Sequence, residues 1–321
     1  MYCKKLQRIY DAKFLQDAAG ALDQWLLKEG KPVKHELNVW VIGGDLRQAK
    51  LAELLQNDGH TVHTYALERA PEAAWEGEPC LTGVELADCV VLPLPVTGDG
   101  TMLNAPLSKA VHPLAQILDV LRPGQILCAG RVDSGTLAMA QERGLVLHDY
   151  FAREELAVAN AVPTVEGAIQ IAMEELPITL HGARILVIGY GRLGKLLAHR
   201  LSALGAKVSV AARKWADLAW AEAYGFGVEQ TDRLEGWLCS YDLIINTVPA
   251  RVLGEERLAE LERGCLVIDL ASKPGGVDME AARQLGVKVI WALSLPGKVA
   301  PVTAGKAILN TIYNILREQG V

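Results

Sequence analysis

From residue 38 onward, short runs of apolar residues alternate with longer stretches in which apolar positions recur at helical spacing. This is the pattern of strands joined by crossover helices in a parallel sheet. It occurs twice. The first series predicts strands at 38–42, 60–65, 88–92, 125–129 and 145–148, with helices at 46–57 and 107–121. The second predicts strands at 184–188, 207–211, 227–229, 242–246, 265–270 and 288–292, six strands being the full doubly wound count. Between them, 154–176 reads as a helical connector broken at Pro163, with Thr164 as the N-cap of its second part and Glu166 in the turn that follows. A terminal helix at 302–317 carries Ile308, Ile312 and Ile315, and an amphipathic stretch at 5–28 reads as a packing or dimer-contact extension. The expected fold is α/β, two doubly wound parallel-sheet domains. An N-terminal helical extension covers 1–36, a substrate domain 37–155, a Rossmann NAD(P)-binding domain 156–301, and a C-terminal helix that returns to the first domain 302–321.

Composition narrows the partners. With 321 residues the chain exceeds the roughly 250–300 at which one core stops growing. Half the residues are hydrophobic and 22% are charged, which fits a packed protein and excludes a disordered or fibrous one. No uninterrupted apolar run approaches the roughly 18 residues of a membrane span. Lys4, Lys5 and Arg8 are followed by Asp11, Lys13, Gln16 and Asp17, which break any signal core, so a cytoplasmic location is expected. A net charge of −6 disfavours nucleic acid and anionic membrane and favours a small-molecule partner. The six cysteines form no C-x-x-C pair and are expected as buried core thiols. His60 and His63 point to opposite faces of a strand, so no metal site is expected there.

The richest chemistry lies at Gly189-Tyr190-Gly191-Arg192-Leu193-Gly194, between an apolar strand and a helix. This is the context a dinucleotide fingerprint requires: the glycines serve the tight turn, the approach to pyrophosphate and the packing of helix on strand. The next strand ends in Ala212-Arg213-Lys214, where an acid would select NAD. Two cations in its place point to the 2′-phosphate of NADP, with a solvated Arg-Lys pair as the alternative and NAD still open. Three further strand ends, at Thr247-Val248-Pro249, Leu270-Ala271-Ser272 and Pro296-Gly297, are expected to border the nicotinamide ribose and ring. In the first half, Gly43-Gly44-Asp45-Leu46-Arg47-Gln48 lacks the third glycine, which argues for a smaller ligand with Arg47 against a carboxylate.

With these motifs in this order, the chain from 39 to 321 resembles the dipicolinate synthase A-subunit family, makers of the pyridine dicarboxylate stored in bacterial spores. The resemblance also rests on Val162-Pro163-Thr164-Val165-Glu166-Gly167, Asp269-Leu270-Ala271-Ser272 with Pro274-Gly275-Gly276, and Leu295-Pro296-Gly297 with Ala300-Pro301. It implies NADP-dependent oxidation of dihydrodipicolinate, or of a hydroxylated tetrahydro precursor, during sporulation. A flavoprotein-like B subunit is implied as partner, and a homo-oligomer is expected. Two substrate carboxylates would take Arg47, then Arg131 or Lys273, with Gly44, Asp45, Thr97 and Thr164 nearby. Glu166 and Arg47 are the catalytic candidates, and His148 and Asp149 lie near the expected cleft. Spacing singles out no acid or base. Two other readings therefore stay open: an alanine or hydroxyacid-type dehydrogenase, and a dinucleotide-sensing subunit without chemistry.

Overall fold

The computed structural model describes residues 36–71 and 77–321, which fall into two units. One holds the described residues up to Ala159 together with Gly305–Val321; the other is Asn160–Ala304. The stretch expected as an N-terminal extension lies outside the described residues.

In the first unit, β1 (Asn38–Ile42), α1 (Leu46–Asn57), β2 (Thr61–Tyr65), β3 (Cys89–Val91), α2 (Leu114–Asp119), β4 (Ile126–Ala129), α3 (Ser134–Glu142) and β5 (Leu147–Asp149) build a parallel sheet of order β2-β1-β3-β4-β5. Val39 faces Val62 on one side and Cys89 on the other. Both faces of the sheet are covered, which explains why its strands read as nearly continuous apolar runs. Val39, Val41 and Cys128 pack with Leu51 and Leu55 of α1, while Trp40, Ile42 and Leu127 pack with Leu114, Leu118 and Ala140. Strand order reverses between β1 and β3, so the turns after them, at Gly43 and Leu92, flank the switch point where such sheets bind ligands.

In the second unit, α4 (Glu154–Glu175) precedes β6 (Arg184–Ile188), α5 (Arg192–Ala203), β7 (Lys207–Ala212), α6 (Trp215–Ala223), β8 (Gly227–Gln230), β9 (Leu243–Asn246), α7 (Glu255–Ala259), β10 (Leu266–Asp269), α8 (Met279–Leu285), β11 (Lys288–Trp291) and α9 (Leu295–Val299). The order β11-β10-β9-β6-β7-β8, parallel throughout, is that of a dinucleotide fold. Its switch point lies between β6 and β9. The last helix, α10 (Pro301–Glu318), places Ile308, Ile312 and Leu316 in the core of the first unit. There Leu37 N–H donates to His60 Nδ1, the other ring nitrogen meets Tyr313 Oη at 3.0 Å, and Tyr313 donates to Asp58 at 2.7 Å. His63 instead bonds Glu78 and stacks on Trp40.

Four expectations are corrected. The helix expected over 107–121 shrinks to Leu114–Asp119, because Pro113 cannot continue a helix and disfavours helical backbone at His112. The connector is not broken at Pro163: α4 runs through it as one helix, so Glu166 lies far from a first turn. Thr164 is no N-cap, since its hydroxyl donates back to Asn160 O at 2.7 Å. Burial of Leu156, Val165, Ala168 and Ala172 outweighs the lost backbone bond. This helix also contains an 18-residue window apolar enough to span a membrane, half of it buried inside the protein, as in a core helix. Cys89, Cys128 and Cys265 are buried, but Cys80 and Cys239 are exposed, because they sit outside the strands.

Candidate functional site

The fingerprint turn gives each glycine a separate physical reason. Gly189 has φ +98°, and a Cβ there would lie 2.3 Å from Thr247 Oγ1. That hydroxyl and the Thr247 N–H both donate to Ile188 O, so the ends of β6 and β9 are locked together at the switch point. A Cβ on Gly194 would lie 1.9 Å from Gly189 O, so only glycine lets α5 start this close to β6. A Cβ on Gly191 would meet nothing within 4 Å. Gly191 is the N-cap of α5, and no side chain caps it. Open space therefore faces a helix N-terminus whose dipole favours an anion.

The neighbouring strand ends are braced from within. Asn246 and Asp269 are fully buried, and Asn246 Nδ2 donates to Asp269 Oδ1 at 2.8 Å. Asp269 also accepts the N–H groups of Ala271 (3.0 Å) and Gly276 (2.8 Å). A Cβ on Gly276 would sit 2.0 Å from Asn246 Nδ2, which explains the glycine in this turn. The bracing fixes the backbone at Thr247 and Val248. It commits Asp269 to structure.

A cavity of about 410 Å³ opens at the carboxyl ends of β6, β7 and β9. Of the residues expected at the cofactor, Gly189, Tyr190, Gly191, Arg213, Lys214, Thr247, Val248 and Pro249 line it. Arg192, Leu193 and Gly194 form the first turn of α5 behind it, and Leu270, Ala271, Ser272, Pro296 and Gly297 are outside its lining. Arg213 and Lys214 are exposed and form no ion pair among the described residues. Two other arginines in the wall are committed: Arg251 pairs with Asp278 at 3.1 Å, and Arg257 with Glu235 at 2.7 Å. Tyr190 is 4% exposed, and its buried hydroxyl has no hydrogen-bond partner among the described residues. Burial, then Tyr224 and Asp217, push this phenol's pKa up. Open space at Gly191 and two cations without an ion pair among the described residues fit a dinucleotide. Sequence reasoning missed Asp217, Thr231 and Asp232 in the same wall. The signal available was their place just after β7 and β8, at the ligand edge of the sheet.

At the switch point of the first sheet, the turn after β1 is clamped to the end of β3. Gly43 and Gly44 have φ +68° and +105°. Asp45 caps α1 by accepting Arg47 N–H, while its own N–H donates to Gln48 Oε1. Arg47 is 5% exposed. Its Nε and Nη2 grip the Asp45 carboxylate at 2.8 to 3.2 Å, and Nη2 also donates to Leu94 O at 2.5 Å. Gln48 Nε2 donates to Tyr150 Oη, and Tyr150 donates to Leu92 O. Only Nη1 of Arg47 has no hydrogen bond among the described residues.

The remaining candidates lie apart from these two turns or are engaged locally. Thr97 Oγ1 accepts from Asp99 and Gly100 N–H within its own loop. Arg131 (φ +54°) is held through its N–H by Asp149, which also caps the turn at Phe151 and Ala152. Glu166 is exposed and pairs with Arg200 at 3.0 Å. Lys273 is an exposed loop residue. Burial lowers the pKa of His148, with Glu318 acting in the opposite direction.

Comparison with known proteins divides the chain at nearly the same place. Residues 38–151 match the N-terminal domain of the dipicolinate synthase A-subunit. Residues 152–281 match the NAD-binding domain of D-isomer specific 2-hydroxyacid dehydrogenases. The dipicolinate synthase A-subunit of Bacillus subtilis is 31% identical over 286 residues, 88% of this chain and 96% of that one. Its crystal structure superposes with a TM-score of 0.79 at 30% identity, covering 89% of this chain and 98% of that one. The dipicolinate synthase A-subunit from Bacillus halodurans gives 0.79 at 29% identity, covering 88% and 97%. A transhydrogenase from Sinorhizobium meliloti shares the fold at TM-score 0.66 and 18% identity, covering 87% and 94%.

Proposed function

The chain belongs to the dipicolinate synthase A-subunit family, and on that premise we propose that it oxidises dihydrodipicolinate, or its hydroxylated tetrahydro precursor, to dipicolinate with NADP⁺. The second unit carries a NAD-binding dehydrogenase domain, so an oxidoreductase using a nicotinamide dinucleotide is the class. The observation that carries the reading is the open approach to Gly191 at an uncapped helix N-terminus, beside the unpaired Arg213 and Lys214.

Bound there, a nicotinamide dinucleotide supplies the hydride acceptor. The N-terminus of α5 would hold the pyrophosphate, and Arg213 and Lys214 would serve the 2′-phosphate. Asp217 and Asp232 line the same wall, but neither is in the Ala212-Arg213-Lys214 run that ends β7, where an acid selects a free 2′-hydroxyl. Arg47, gripped through Nε and Nη2 by Asp45 and Leu94, keeps Nη1 as a charged N–H donor for one substrate carboxylate. Aromatisation of the ring favours hydride departure, so the protein's task is alignment and removal of a proton.

We further propose a B subunit as partner, because the relative from Bacillus subtilis is named as one subunit of the synthase; its flavoprotein-like character and a place in sporulation are what the family resemblance implies. The test combines purified chain, NADP⁺ or NAD⁺ and enzymatically generated dihydrodipicolinate, with and without a B subunit. Dipicolinate formation matched by NADPH supports the reading. Cofactor binding without turnover in any combination supports a dinucleotide-sensing subunit instead.

A further inference from the structure

A chain of four side chains on the first unit belongs to none of the sites above. Tyr65 is the last residue of β2, and its carbonyl accepts the N–H of Gly43 at the switch-point turn. Its hydroxyl meets His112 Nδ1 at 3.2 Å, with the rings edge to face. His112 Nε2 meets Ser108 Oγ at 2.8 Å, and Ser108 donates to Glu68 Oε1 at 2.9 Å. His112 belongs to the loop that covers the Gly43 turn: its carbonyl accepts Leu103 N–H, and Leu103 packs against Gly43.

The direction of this chain is fixed by chemistry. An ionised carboxylate only accepts, so Ser108 must donate to Glu68. The single hydroxyl proton of Ser108 is then used, and its oxygen accepts from Ala110 N–H and from His112 Nε2–H. That leaves Nδ1 of the neutral imidazole as an acceptor, facing the Tyr65 hydroxyl. Burial acts upward on the Glu68 pKa, but the N–H of Lys109 and the Ser108 hydroxyl hold it below the usual range. Glu68 is exposed, Ser108 is 8% exposed, and Tyr65 and His112 are half-buried. The chain therefore runs from the ligand edge of the sheet, through a buried hydroxyl, to bulk water. The hydrogen bonds link the imidazole to two titratable groups, Tyr65 of β2 directly and Glu68 just beyond it through Ser108.

We propose that Tyr65, His112, Ser108 and Glu68 form the proton exit of the oxidation, with the Tyr65 hydroxyl touching the substrate and His112 as the base behind it. The inference rests on the dehydrogenase reading above. One C–H of the substrate leaves as hydride, with its electron pair, to the nicotinamide. A second hydrogen leaves the ring as a proton, and the pair that held it completes the aromatic system. That proton passes to the Tyr65 oxygen as the phenol proton moves to His112 Nδ1, giving an imidazolium. The imidazolium then releases its Nε2 proton to Ser108, whose own proton passes to Glu68 and to water. A neutral imidazole is required at the start, so protonating the relay slows turnover and gives the pH profile an acid limb.

The test compares wild type, His112→Gln, Tyr65→Phe and Glu68→Gln in the full assay with B subunit. His112→Gln is expected to lower kcat by about 10²- to 10⁴-fold, the usual worth of general-base catalysis. It should flatten the acid limb and leave NADP⁺ affinity, read by fluorescence titration, within twofold. Tyr65→Phe should lower kcat likewise. Glu68→Gln, which keeps the shape, should shift the acid limb. Wild-type kcat and an unchanged pH profile in His112→Gln overturn the relay while the dehydrogenase reading stands. A parallel loss of cofactor affinity and melting temperature in both His112→Gln and Glu68→Gln, with the acid limb in place, also overturns it. Absence of turnover in wild type overturns the dehydrogenase reading and the relay together.

Discussion

A Cβ placed on Gly194 would lie 1.9 Å from the carbonyl oxygen of Gly189, backbone against side chain with no flexible atom to give way. Gly191, between them, faces open space. The two glycines should therefore fail differently. Gly194→Ala is expected to cost about 1–3 kcal/mol of stability by overpacking and to abolish dinucleotide binding. Gly191→Ala should keep the wild-type melting temperature and still weaken binding, because its methyl group occupies the ligand's space. Thermal melts paired with fluorescence titrations separate the two; equal melting losses would contradict the assignment.

The cations after β7 make a sharper distinction. Replacing Arg213 and Lys214 together with alanine removes two charges that form no ion pair among the described residues. NADPH affinity should fall by at least tenfold, with NADH affinity nearly unchanged. Equal losses for both dinucleotides would contradict the 2′-phosphate assignment.

Arg47 has two roles that one variant can resolve. Arg47→Ala strands the Leu94 carbonyl and the Asp45 carboxylate, and the loss of these charge-assisted bonds is expected to cost about 1.5–3 kcal/mol. If Nη1 also holds a substrate carboxylate, the substrate KM rises while the dissociation constant for NADP⁺ holds. Steady-state kinetics beside a thermal melt reads both. A destabilised variant with unchanged KM would leave Arg47 with its structural role alone.

Much of this was legible in the sequence because both sheets are parallel and covered on both faces, so each central strand announces itself as an apolar run. β1, α1 and β6 fall at the expected residues. The fingerprint was legible because glycine is required there for three separate reasons. Other features arise only from tertiary packing. Pro163 reads as a breaker, yet the cores around α4 keep the helix whole. Arg47 reads as a free cation, but the side chain two residues before it and a carbonyl 47 residues later claim two of its nitrogens. Tyr65, Glu68 and His112 form no motif in sequence, because only a loop between β3 and α2 brings His112 back to the end of β2.

The anchor of α10 predicts a pH dependence of stability. His60 Nδ1 accepts the N–H of Leu37, so the folded protein requires a neutral ring. Burial lowers its pKa from the ordinary 6.5, outweighing Asp58 and Glu36, which act upward. The unfolded chain therefore binds the proton more readily than the folded one. This contribution to stability is fully present above about 6.5 and is lost as pH falls from there through the lowered folded value. Melting temperature should drop over that window in wild type and drop less in His60→Gln. Identical profiles would contradict the anchor.

The most direct test is whether the purified chain, with a B subunit supplied, converts dihydrodipicolinate to dipicolinate while NADP⁺ is reduced. The account predicts one NADPH for each dipicolinate formed, with NADP⁺ preferred over NAD⁺. Dipicolinate appearing with no dinucleotide reduced, or no dinucleotide retained by the folded protein in titration, would contradict it.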